Sequence, residues 1–191
     1  MPRARVEPEP PPGLVYEPDL LTEPEEANFL ALLHDLRFDP IVIRGRAAKR
    51  TARHYGLDYD YEARGRLTPG EPVPDWLEPL RTRTAELAGV APDQLVEALV
   101  QRYPPGSTIG WHRDAPPFGV VAGVSLASAC RMRFRRKGED GYAVREVELV
   151  PRSAYVLAGA TRRTWQHSIP ATEELRYSVT FRTLRAPAQP S

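Results

Sequence analysis

The sequence contains a single cysteine, Cys130, among its 191 residues. An intrachain disulfide and a cysteine-based zinc cage are therefore excluded, and such sparing use of cysteine is typical of a reducing compartment. Long apolar runs are also missing. No stretch approaches the length of a membrane span, and the N-terminus lacks the apolar core of a secretory signal. These absences predict a cytoplasmic protein without a membrane segment.

Lysine is nearly absent as well: of the 26 lysine and arginine residues, only Lys49 and Lys137 are lysine. The formal net charge is only +1, so the overall balance gives no sign of a nucleic-acid-binding protein. The basic residues are nevertheless clustered. The clusters comprise Arg44, Arg46, Lys49, Arg50 and Arg53, and Arg131, Arg133, Arg135, Arg136 and Lys137. Each is either a solvated face or a surface that contacts phosphate.

One domain is predicted for the chain, since its length and a hydrophobic content of 41% suit a single globular core. Residues 1–13 and 186–191 are rich in proline, and we expect both to be disordered tails. Between them, residues 14–94 are expected to form an N-terminal helical layer and residues 95–185 a β-rich core. The predicted fold class is therefore mainly β with N-terminal helices, an α+β arrangement.

Two helices are predicted in the N-terminal layer. The first covers residues 23–36, where Thr22 and Glu25 form a capping box ahead of apolar residues at helical spacing. The second begins near Asp75 and ends at Gly89. In the C-terminal half, short apolar or alternating segments lie between proline, glycine and serine breaks, which is typical of a sandwich or barrel. These segments are 95–100, 120–126, 131–135, 145–149, 153–158 and 176–182.

His112 and Asp114 are two residues apart and follow a turn-forming Pro-Pro-Gly sequence. On a strand, this spacing directs both side chains to one face. Of the four histidines, His167 lies in the same β-rich region and would complete a set of two histidines and one carboxylate, which is typical of non-haem Fe(II) oxygenases. The alternative is a hydrogen-bonded His–Asp pair at a strand edge.

The segment RYSVTFR predicts a strand with two different faces. Its odd-numbered residues form an apolar face for the core, while Arg176 and Arg182 end a polar face that carries the small Ser178 and Thr180. Such a recess would accommodate a dicarboxylate the size of 2-oxoglutarate, because a guanidinium binds a carboxylate through two parallel hydrogen bonds. The alternative is an exposed face with scattered arginines. Tyr103 is either a further ligand for such a carboxylate or a core tyrosine.

Together, and in this order, these residues resemble the AlkB-like family of Fe(II)/2-oxoglutarate-dependent dioxygenases, of the bacterial type that repairs alkylated nucleic acids. The family pattern runs Asn-x-Tyr, a Pro-Gly turn, His-x-Asp, a distant His and Arg-x5-Arg. Here it reads Gln101-Arg-Tyr103, Pro105-Gly106, His112-Arg-Asp114, His167 and Arg176 to Arg182. The resemblance covers residues 101–182 and implies a double-stranded β-helix (jelly-roll) core with iron between its two sheets.

The resemblance also implies a role for each matching residue. The residues implied to bind Fe(II) are His112, Asp114 and His167. Those implied to bind the cosubstrate 2-oxoglutarate are Gln101, Tyr103, Arg176, Ser178, Thr180 and Arg182. Among the latter, Arg176 would hold the distal carboxylate with help from Tyr103, and Arg182 would lie nearer the iron.

The family's chemistry uses dioxygen to convert 2-oxoglutarate to succinate and CO2 while hydroxylating an N-alkyl group on a nucleobase. The hydroxymethyl product then releases formaldehyde. The implied activity is thus oxidative dealkylation, and the implied partner is alkylated DNA or RNA. We expect the protein to be a monomer without membrane association.

Residues 50–61, RTARHYGLDYDY, resemble the family's nucleotide-recognition lid because they mix basic and aromatic side chains. The alternative is a hairpin whose tyrosines pack on the sheet. Arginines of the second basic cluster would add nucleic-acid contacts. The candidate substrate residues are Arg50, Arg53, His54, Tyr55, Tyr59, Tyr61, Arg133 and Arg135.

Two positions depart from the family pattern. Gln101 stands where asparagine is common, and Pro116 stands where some members carry an acid that touches the base. Base selectivity is then set differently, or the same oxygenase chemistry acts on a protein, lipid or small-molecule substrate. A third hypothesis is a non-catalytic β module in which His112 and Asp114 form a structural pair.

Overall fold

The computed structural model describes residues 9–43, 45–60, 66–139 and 141–186. Its strands are β1 (Leu14–Glu17), β2 (Asp39–Ile43), β3 (Arg46–Asp60), β4 (Arg66–Pro69), β5 (Leu95–Tyr103), β6 (Ile109–His112), β7 (Phe118–Leu126), β8 (Cys130–Gly138), β9 (Gly141–Leu149), β10 (Ala154–Leu157), β11 (Gln166–Ile169) and β12 (Arg176–Leu184). Its helices are α1 (Glu23–Asp35), α2 (Glu78–Ala88) and α3 (Gly159–Arg163), with 3-10 turns at Asp75–Leu77 and Pro92–Gln94. None of these helices is long and apolar enough to cross a membrane.

The strands form two antiparallel sheets. The larger sheet has the order β1-β10-β7-β12-β5-β3-β2, with β4 paired to β3, and the smaller has the order β6-β11-β8-β9. Buried side chains from both sheets, including Val121, Phe134 and Leu157, form one cluster between them. This arrangement confirms the predicted mainly-β class and the jelly-roll core.

The predicted helical layer packs on the other face of the larger sheet. Helix α1 begins at the predicted capping box, in which the Thr22 backbone N–H donates to Glu25 Oε2 at 2.8 Å, and it buries Phe29 and Leu33. Helix α2 ends at Gly89, whose φ of 66° is the left-handed geometry that glycine adopts without strain. Buried side chains of both helices join those of β5, β7 and β12 in one core cluster.

The N-terminal half contains more strand than the sequence analysis predicted. Residues 14–94 were expected to be a helical layer, but β1 to β4 also lie there and extend the larger sheet. Strand β1 pairs with β10, and β3 pairs with β5. These partners are distant in sequence, so the local pattern of β1 or β3 carried little sign of the pairing that stabilises them.

Part of the predicted N-terminal tail is also ordered. The backbone N–H groups of Thr161 and Ala158 donate to the carbonyls of Pro12 and Gly13, both at 2.9 Å. This end of the tail therefore belongs to the fold. The remainder of both predicted tails, residues 1–8 and 187–191, lies outside the described residues.

Strand β12 lies in the middle of the larger sheet, and both of its faces are buried. Val179 and Phe181 join the core beneath the helices. Arg176, Ser178 and Thr180 are buried on the opposite face, which points between the two sheets. The polar face predicted from the sequence is thus an internal recess, and the alternative of an exposed strand face is excluded.

Candidate metal centre and cosubstrate pocket

His112, Asp114 and His167 come together where β6 meets β11. His112 is the last residue of β6 and lies opposite His167 in register, with ring centroids 4.2 Å apart. One ligand atom from each of the three side chains lies within 4.8 Å of the others. Because β6 ends at His112, Asp114 lies in the connection to β7. The prediction that one strand face carries both residues is therefore wrong, although the cluster forms.

The ligand atoms of this cluster are held in place by neighbouring groups. Gly110 O lies 2.9 Å from His112 Nδ1, and since a carbonyl only accepts, Nδ1 carries the proton and Nε2 keeps its lone pair. Asp114 Oδ1 accepts from Arg182 Nε at 3.1 Å and Nη2 at 2.9 Å. Asp114 Oδ2 is buried, has no hydrogen-bond partner in the described chain and lies 3.5 Å from His167 Nε2. These donors fit a divalent cation, and the set is typical of Fe(II).

The protonation states of the cluster also favour a cation. Burial alone would raise the pKa of the Asp114 carboxyl, but the charges of Arg182 and the histidines outweigh it and hold this pKa well below its usual range. Burial lowers the pKa of His167 to about 4, against the opposing effect of Asp114. At neutral pH the cluster therefore contains a carboxylate and a neutral imidazole, the forms in which these groups bind metals.

Arg176 lies between the sheets and is only 1% exposed. Its Nε donates to Ser125 Oγ at 3.0 Å, and its guanidinium carbon lies 4.9 Å from the centroid of the Tyr103 ring. Both terminal nitrogens, Nη1 and Nη2, are buried without a hydrogen-bond partner among the described residues. Burial of a charged guanidinium with unpaired N–H donors is unfavourable unless an anion accepts hydrogen bonds from them. A carboxylate matches this fork, so Arg176 fits one end of 2-oxoglutarate.

The other residues predicted for this pocket surround Arg176. The register of β5 and β12 places Ser178 opposite Gln101 and Arg176 opposite Tyr103. The Tyr103 hydroxyl donates to Gln101 Oε1 at 2.7 Å, and Ser178 Oγ donates to the Tyr103 hydroxyl at 3.5 Å. Thr180 is buried on the same face of β12. The structure thus brings these five predicted residues together.

Arg182 joins the metal cluster to a residue that the sequence analysis missed. While Nε and Nη2 donate to Asp114, Nη1 donates to Glu97 Oε2 at 2.7 Å. Glu97 is only 2% exposed, so acid, arginine and acid form a buried chain that ends at the metal ligand. A signal was present in the sequence, because Glu97 is the one charged residue in the apolar segment LVEALV.

Tyr155 on β10 is a second pocket residue that the sequence analysis missed. Burial raises the pKa of its hydroxyl above the usual range, and a hydrogen bond with Thr180 opposes this shift. Gly123 lies opposite Tyr155 in register, and a Cβ at Gly123 would come 2.4 Å from the Tyr155 ring. The glycine inside the apolar run of β7 was the available signal, because it marks a close approach by another group.

The predicted lid is a hairpin of β3 and β4, and one of its candidates faces away from the site. Strand β3 leaves the larger sheet at Gly56, where φ is 79° and a Cβ would lie 2.1 Å from Val96 O; residues 57–60 then pair with β4. Tyr55, before this bend, is buried in the core beneath the helices. Tyr55 is therefore unavailable to a substrate, and the packing alternative holds for it. Tyr61 lies outside the described residues.

The two lid arginines are both engaged by protein groups. Arg53 pairs with Glu71 at 2.5 Å and with Asp39 at 3.3 Å, so its charge is compensated. Arg50 donates to the carbonyl of Thr108 at 3.0 Å, which leaves its charge uncompensated by this contact. Of the two arginines, Arg50 is therefore the better candidate for contact with a substrate phosphate.

Tyr59 and His54 connect the lid to the metal cluster. The ring centroid of Tyr59 lies 6.3 Å from that of Phe118, and the Phe118 ring lies 5.6 Å from the guanidinium carbon of Arg182. His54 Nδ1 lies 3.7 Å from Glu97 Oε1, on the acid that binds Arg182. Each residue thus reaches the arginine beside the metal ligand through one intervening side chain.

Arg133 and Arg135 lie on the far side of the smaller sheet. Phe134, between them, is buried opposite His167 in register, so the flanking arginines point to the solvent-facing side. Neither arginine lines the pocket. Any contact that they make with a substrate therefore lies outside the metal site.

The sequence profile of the 2OG-Fe(II) oxygenase superfamily matches residues 38–182. The "Alkylated DNA repair protein ALKBH8 homolog" of Arabidopsis thaliana is 29% identical over 183 residues, covering 83% of this chain and 51% of that protein. The human "Alpha-ketoglutarate-dependent dioxygenase alkB homolog 3" is 29% identical over 151 residues, covering 70% of this chain and 51% of the human protein. The chain thus spans about half the length of the curated relatives it matches.

Solved structures share the fold. OsALKBH1 superposes with a TM-score of 0.65 at 14% identity, covering 92% of this chain and 100% of that one. A Pseudomonas putida prolyl-4-hydroxylase superposes with a TM-score of 0.62 at 16% identity, covering 92% of this chain and 94% of the hydroxylase chain. Identities this low show the fold alone. Fold, site and sequence relatives agree: the chain belongs to the 2OG-Fe(II) oxygenase superfamily, whose members use Fe(II), 2-oxoglutarate and dioxygen, and within that superfamily it is AlkB-like.

Proposed function

We propose that this protein uses Fe(II), 2-oxoglutarate and dioxygen to remove alkyl groups oxidatively from nucleobases in DNA or RNA. The observation that carries the proposal is a pair of buried groups without partners among the described residues: Asp114 Oδ2, and Nη1 and Nη2 of Arg176. The first fits a divalent cation, and the second fits a carboxylate. Because both face the space between the two sheets, one metal ion and one dicarboxylate would complete them together.

In this proposal His112, Asp114 and His167 hold Fe(II). When bound, the iron would supply the activation of dioxygen that is coupled to the oxidation of 2-oxoglutarate to succinate and CO2. A set of three protein ligands would leave room on the ion for dioxygen and for 2-oxoglutarate. The His112 ring donates its Nδ1 proton to Gly110 O and so keeps Nε2 available as a ligand. Arg182 occupies Oδ1 of Asp114 and leaves Oδ2 to the metal.

Arg176 binds the distal carboxylate of 2-oxoglutarate through its two free terminal nitrogens. Its Nε stays on Ser125 Oγ, and the Tyr103 ring supports the guanidinium plane, so the fork is held in place before the cosubstrate arrives. Such preorganisation reduces the entropy lost on binding. The burial of Arg176 also keeps water away from the contact, which strengthens it.

The reacting group in this proposal is a carbon attached to a base nitrogen. One atom of dioxygen enters this carbon as a hydroxyl group and the other enters succinate; a hydroxymethyl product then leaves as formaldehyde, and the base nitrogen regains its proton. A nucleotide has to leave its stack to reach a buried site. Tyr59 beside Phe118 suits stacking on such a base. The name of the Arabidopsis relative, an alkylated DNA repair protein homolog, supports a nucleic-acid substrate.

A second candidate function is the same oxygenase chemistry on a protein, lipid or small-molecule substrate. Two observations favour it. Pro116 stands where some AlkB-like proteins carry a base-contacting acid, and the charge of Arg53 is already compensated by Glu71 and Asp39. Binding to oligonucleotides that weakens steeply with salt would count against this candidate.

The test is incubation with a panel of methylated DNA and RNA oligonucleotides, single- and double-stranded, in the presence of Fe(II), ascorbate and 2-oxoglutarate. We expect formaldehyde from at least one substrate, no activity in His112→Ala, and full activity in His34→Ala, since His34 is an exposed histidine on α1. Consumption of 2-oxoglutarate with every base unchanged would overturn the proposal and favour the second candidate. Calorimetric titration with Mn(II) addresses the non-catalytic alternative, which a 1:1 site lost in His112→Ala excludes.

A further inference from the structure

The solvent-facing side of the smaller sheet carries a row of side chains, one from each of its four strands. The row consists of Trp111 on β6, Gln166 on β11, Arg135 on β8 and Tyr142 on β9. Neighbouring strands lie about 4.8 Å apart, so the row crosses about 14 Å of surface. Tyr142 is 55% exposed, which shows that this side of the sheet faces solvent at that end.

Arg135, in the middle of this aromatic–arginine row, lies between two rings. Its guanidinium carbon lies 4.5 Å from the centroid of the Trp111 ring and 4.7 Å from that of Tyr142. Its Nε donates to Gln166 Oε1 at 2.8 Å. Among the described residues no hydrogen bond occupies its Nη1 or Nη2. The arginine is therefore positioned in advance, and its two terminal nitrogens remain available to a ligand.

Within the described chain Arg135 forms no ion pair with an acid, unlike its neighbour Arg133. Arg133 also lies over the Trp111 ring, with its guanidinium carbon 5.2 Å from the centroid, but its Nε lies 3.2 Å from Glu146 Oε1, on the residue opposite it on β9. Opposite Arg135 stands Val144, and opposite Lys137 stands Tyr142. Among the described residues, therefore, two basic side chains without an ion-paired acid, Arg135 and Lys137, lie toward the β8–β9 end of this face.

We propose that the aromatic–arginine row binds the backbone phosphates of the nucleic-acid strand whose base enters the metal site; this rests on the proposed function. The row begins at the edge strand β6, where consecutive residues point to opposite sides: Trp111 belongs to the row and His112 to the metal cluster. A strand of nucleic acid that lies on the row therefore needs only to pass over this edge to present a flanking nucleotide at the pocket.

The chemistry of the row favours nucleic acid over an acidic peptide. A guanidinium held between aromatic rings offers parallel donors to a phosphate, and exposed ring surface beside it offers stacking to a base. A peptide carboxylate would use the donors but would leave the ring surface uncovered. The row thus combines the two contacts by which single strands are bound without sequence preference.

The test compares Arg135→Gln with Arg133→Gln, a matched change on the same face of the same strand. Binding of a fluorescein-labelled single strand with one methylated base is measured by anisotropy over a range of salt concentrations. We expect Arg135→Gln to weaken binding roughly 5- to 10-fold and to reduce the slope of log K against log salt by about 0.7, the loss of one phosphate contact. We expect Arg133→Gln to change affinity less than about twofold, because Glu146 already compensates Arg133.

A second readout separates this surface from the pocket. Demethylation of a single methylated nucleoside, which is too short to reach the row, should proceed equally in wild type and Arg135→Gln, and Mn(II) affinity should be the same in both. Equal oligonucleotide affinity for wild type, Arg135→Gln and Arg133→Gln would contradict phosphate binding by the row. It would leave the proposed function in place. Complete competition by a polyglutamate peptide at equal charge would overturn the assignment to nucleic acid. A wild-type protein that binds no oligonucleotide would overturn both proposals.

Discussion

Arg182 donates two hydrogen bonds to a single oxygen of Asp114, at 3.1 and 2.9 Å, and leaves the other oxygen 3.5 Å from His167 Nε2. The arginine thus orients the carboxylate without occupying Oδ2. The remaining guanidinium nitrogen, Nη1, is held by Glu97. This relationship explains how Asp114 can be fixed by a cation and still offer an oxygen to a metal ion.

Glu97→Gln should weaken metal binding although Glu97 touches no ligand atom. Without the carboxylate at position 97, Arg182 keeps Asp114 as its one acidic partner and competes more strongly with the metal ion for it. Partners of metal ligands typically contribute 10- to 100-fold in affinity, so we expect a loss of about that size for Mn(II), measured by calorimetric titration. Glu71→Gln, which removes an exposed partner of Arg53, is the control. Unchanged Mn(II) affinity in a folded Glu97→Gln protein would contradict this role.

Arg176→Met should raise the 2-oxoglutarate requirement and leave metal binding nearly intact. The change removes the two charged donors, Nη1 and Nη2, that would bind the cosubstrate carboxylate, and it retains most of the side-chain volume. Hydrogen bonds to charged groups contribute about 1.5–3 kcal/mol, so the Kd for 2-oxoglutarate should rise roughly 10- to 150-fold. Titration of the Mn(II)-loaded protein measures it, with Arg81→Met on α2 as the control. An equal loss of Mn(II) affinity would show that the assigned roles are wrong.

Unfolding of the metal-free protein should depend on His167 between pH 6.5 and 4. Burial lowers the pKa of this group from 6.5 to about 4. In that interval the unfolded chain binds a proton that the folded protein excludes, so stability falls as the pH falls. A shift of this size corresponds to about 3 kcal/mol. Urea unfolding at pH 7 and pH 4 should show this loss of unfolding free energy in wild type and His34→Gln, and little of it in His167→Gln. The same loss in all three proteins would contradict the assignment of the pH dependence to His167.

Gly123→Ala should destabilise the pocket through Tyr155. The new methyl group would lie 2.4 Å from the Tyr155 ring, so the ring has to move away from its place beside Thr180. Overpacking of this kind typically costs about 1–3 kcal/mol. Thermal unfolding measures the cost, and titration measures a parallel loss of 2-oxoglutarate affinity. Gly110→Ala is the matched control, because a Cβ there meets nothing within 4 Å; equal effects of the two changes would exclude the proposed crowding.

The features that the sequence predicted well are those encoded by local patterns. The capping box at Thr22 and Glu25 begins α1, and Gly89 ends α2. The alternation of the segment 176–182 correctly separated a core face from a polar recess. In each of these cases the physical cause acts over a few residues, through a cap, a backbone geometry or a period of two.

The features that the sequence did not show depend on contacts between distant strands. The segment with Tyr55 mixes basic and aromatic residues whether the ring faces a substrate or the core, and Tyr55 is buried where this segment pairs with β5. Strand β1 needs β10 as its partner. Glu97 stands out as a charge in an apolar segment, but its partner Arg182 lies on the distant strand β12.

The proposed function requires that this site couple 2-oxoglutarate oxidation to removal of an alkyl group from a nucleobase. The most direct measurement is the stoichiometry of succinate, formaldehyde and restored base, quantified together by mass spectrometry after reaction with a methylated oligonucleotide. We expect equal amounts of the three products, with all of them absent in His112→Ala. Succinate formed without restored base, on every methylated DNA and RNA substrate offered, would contradict it.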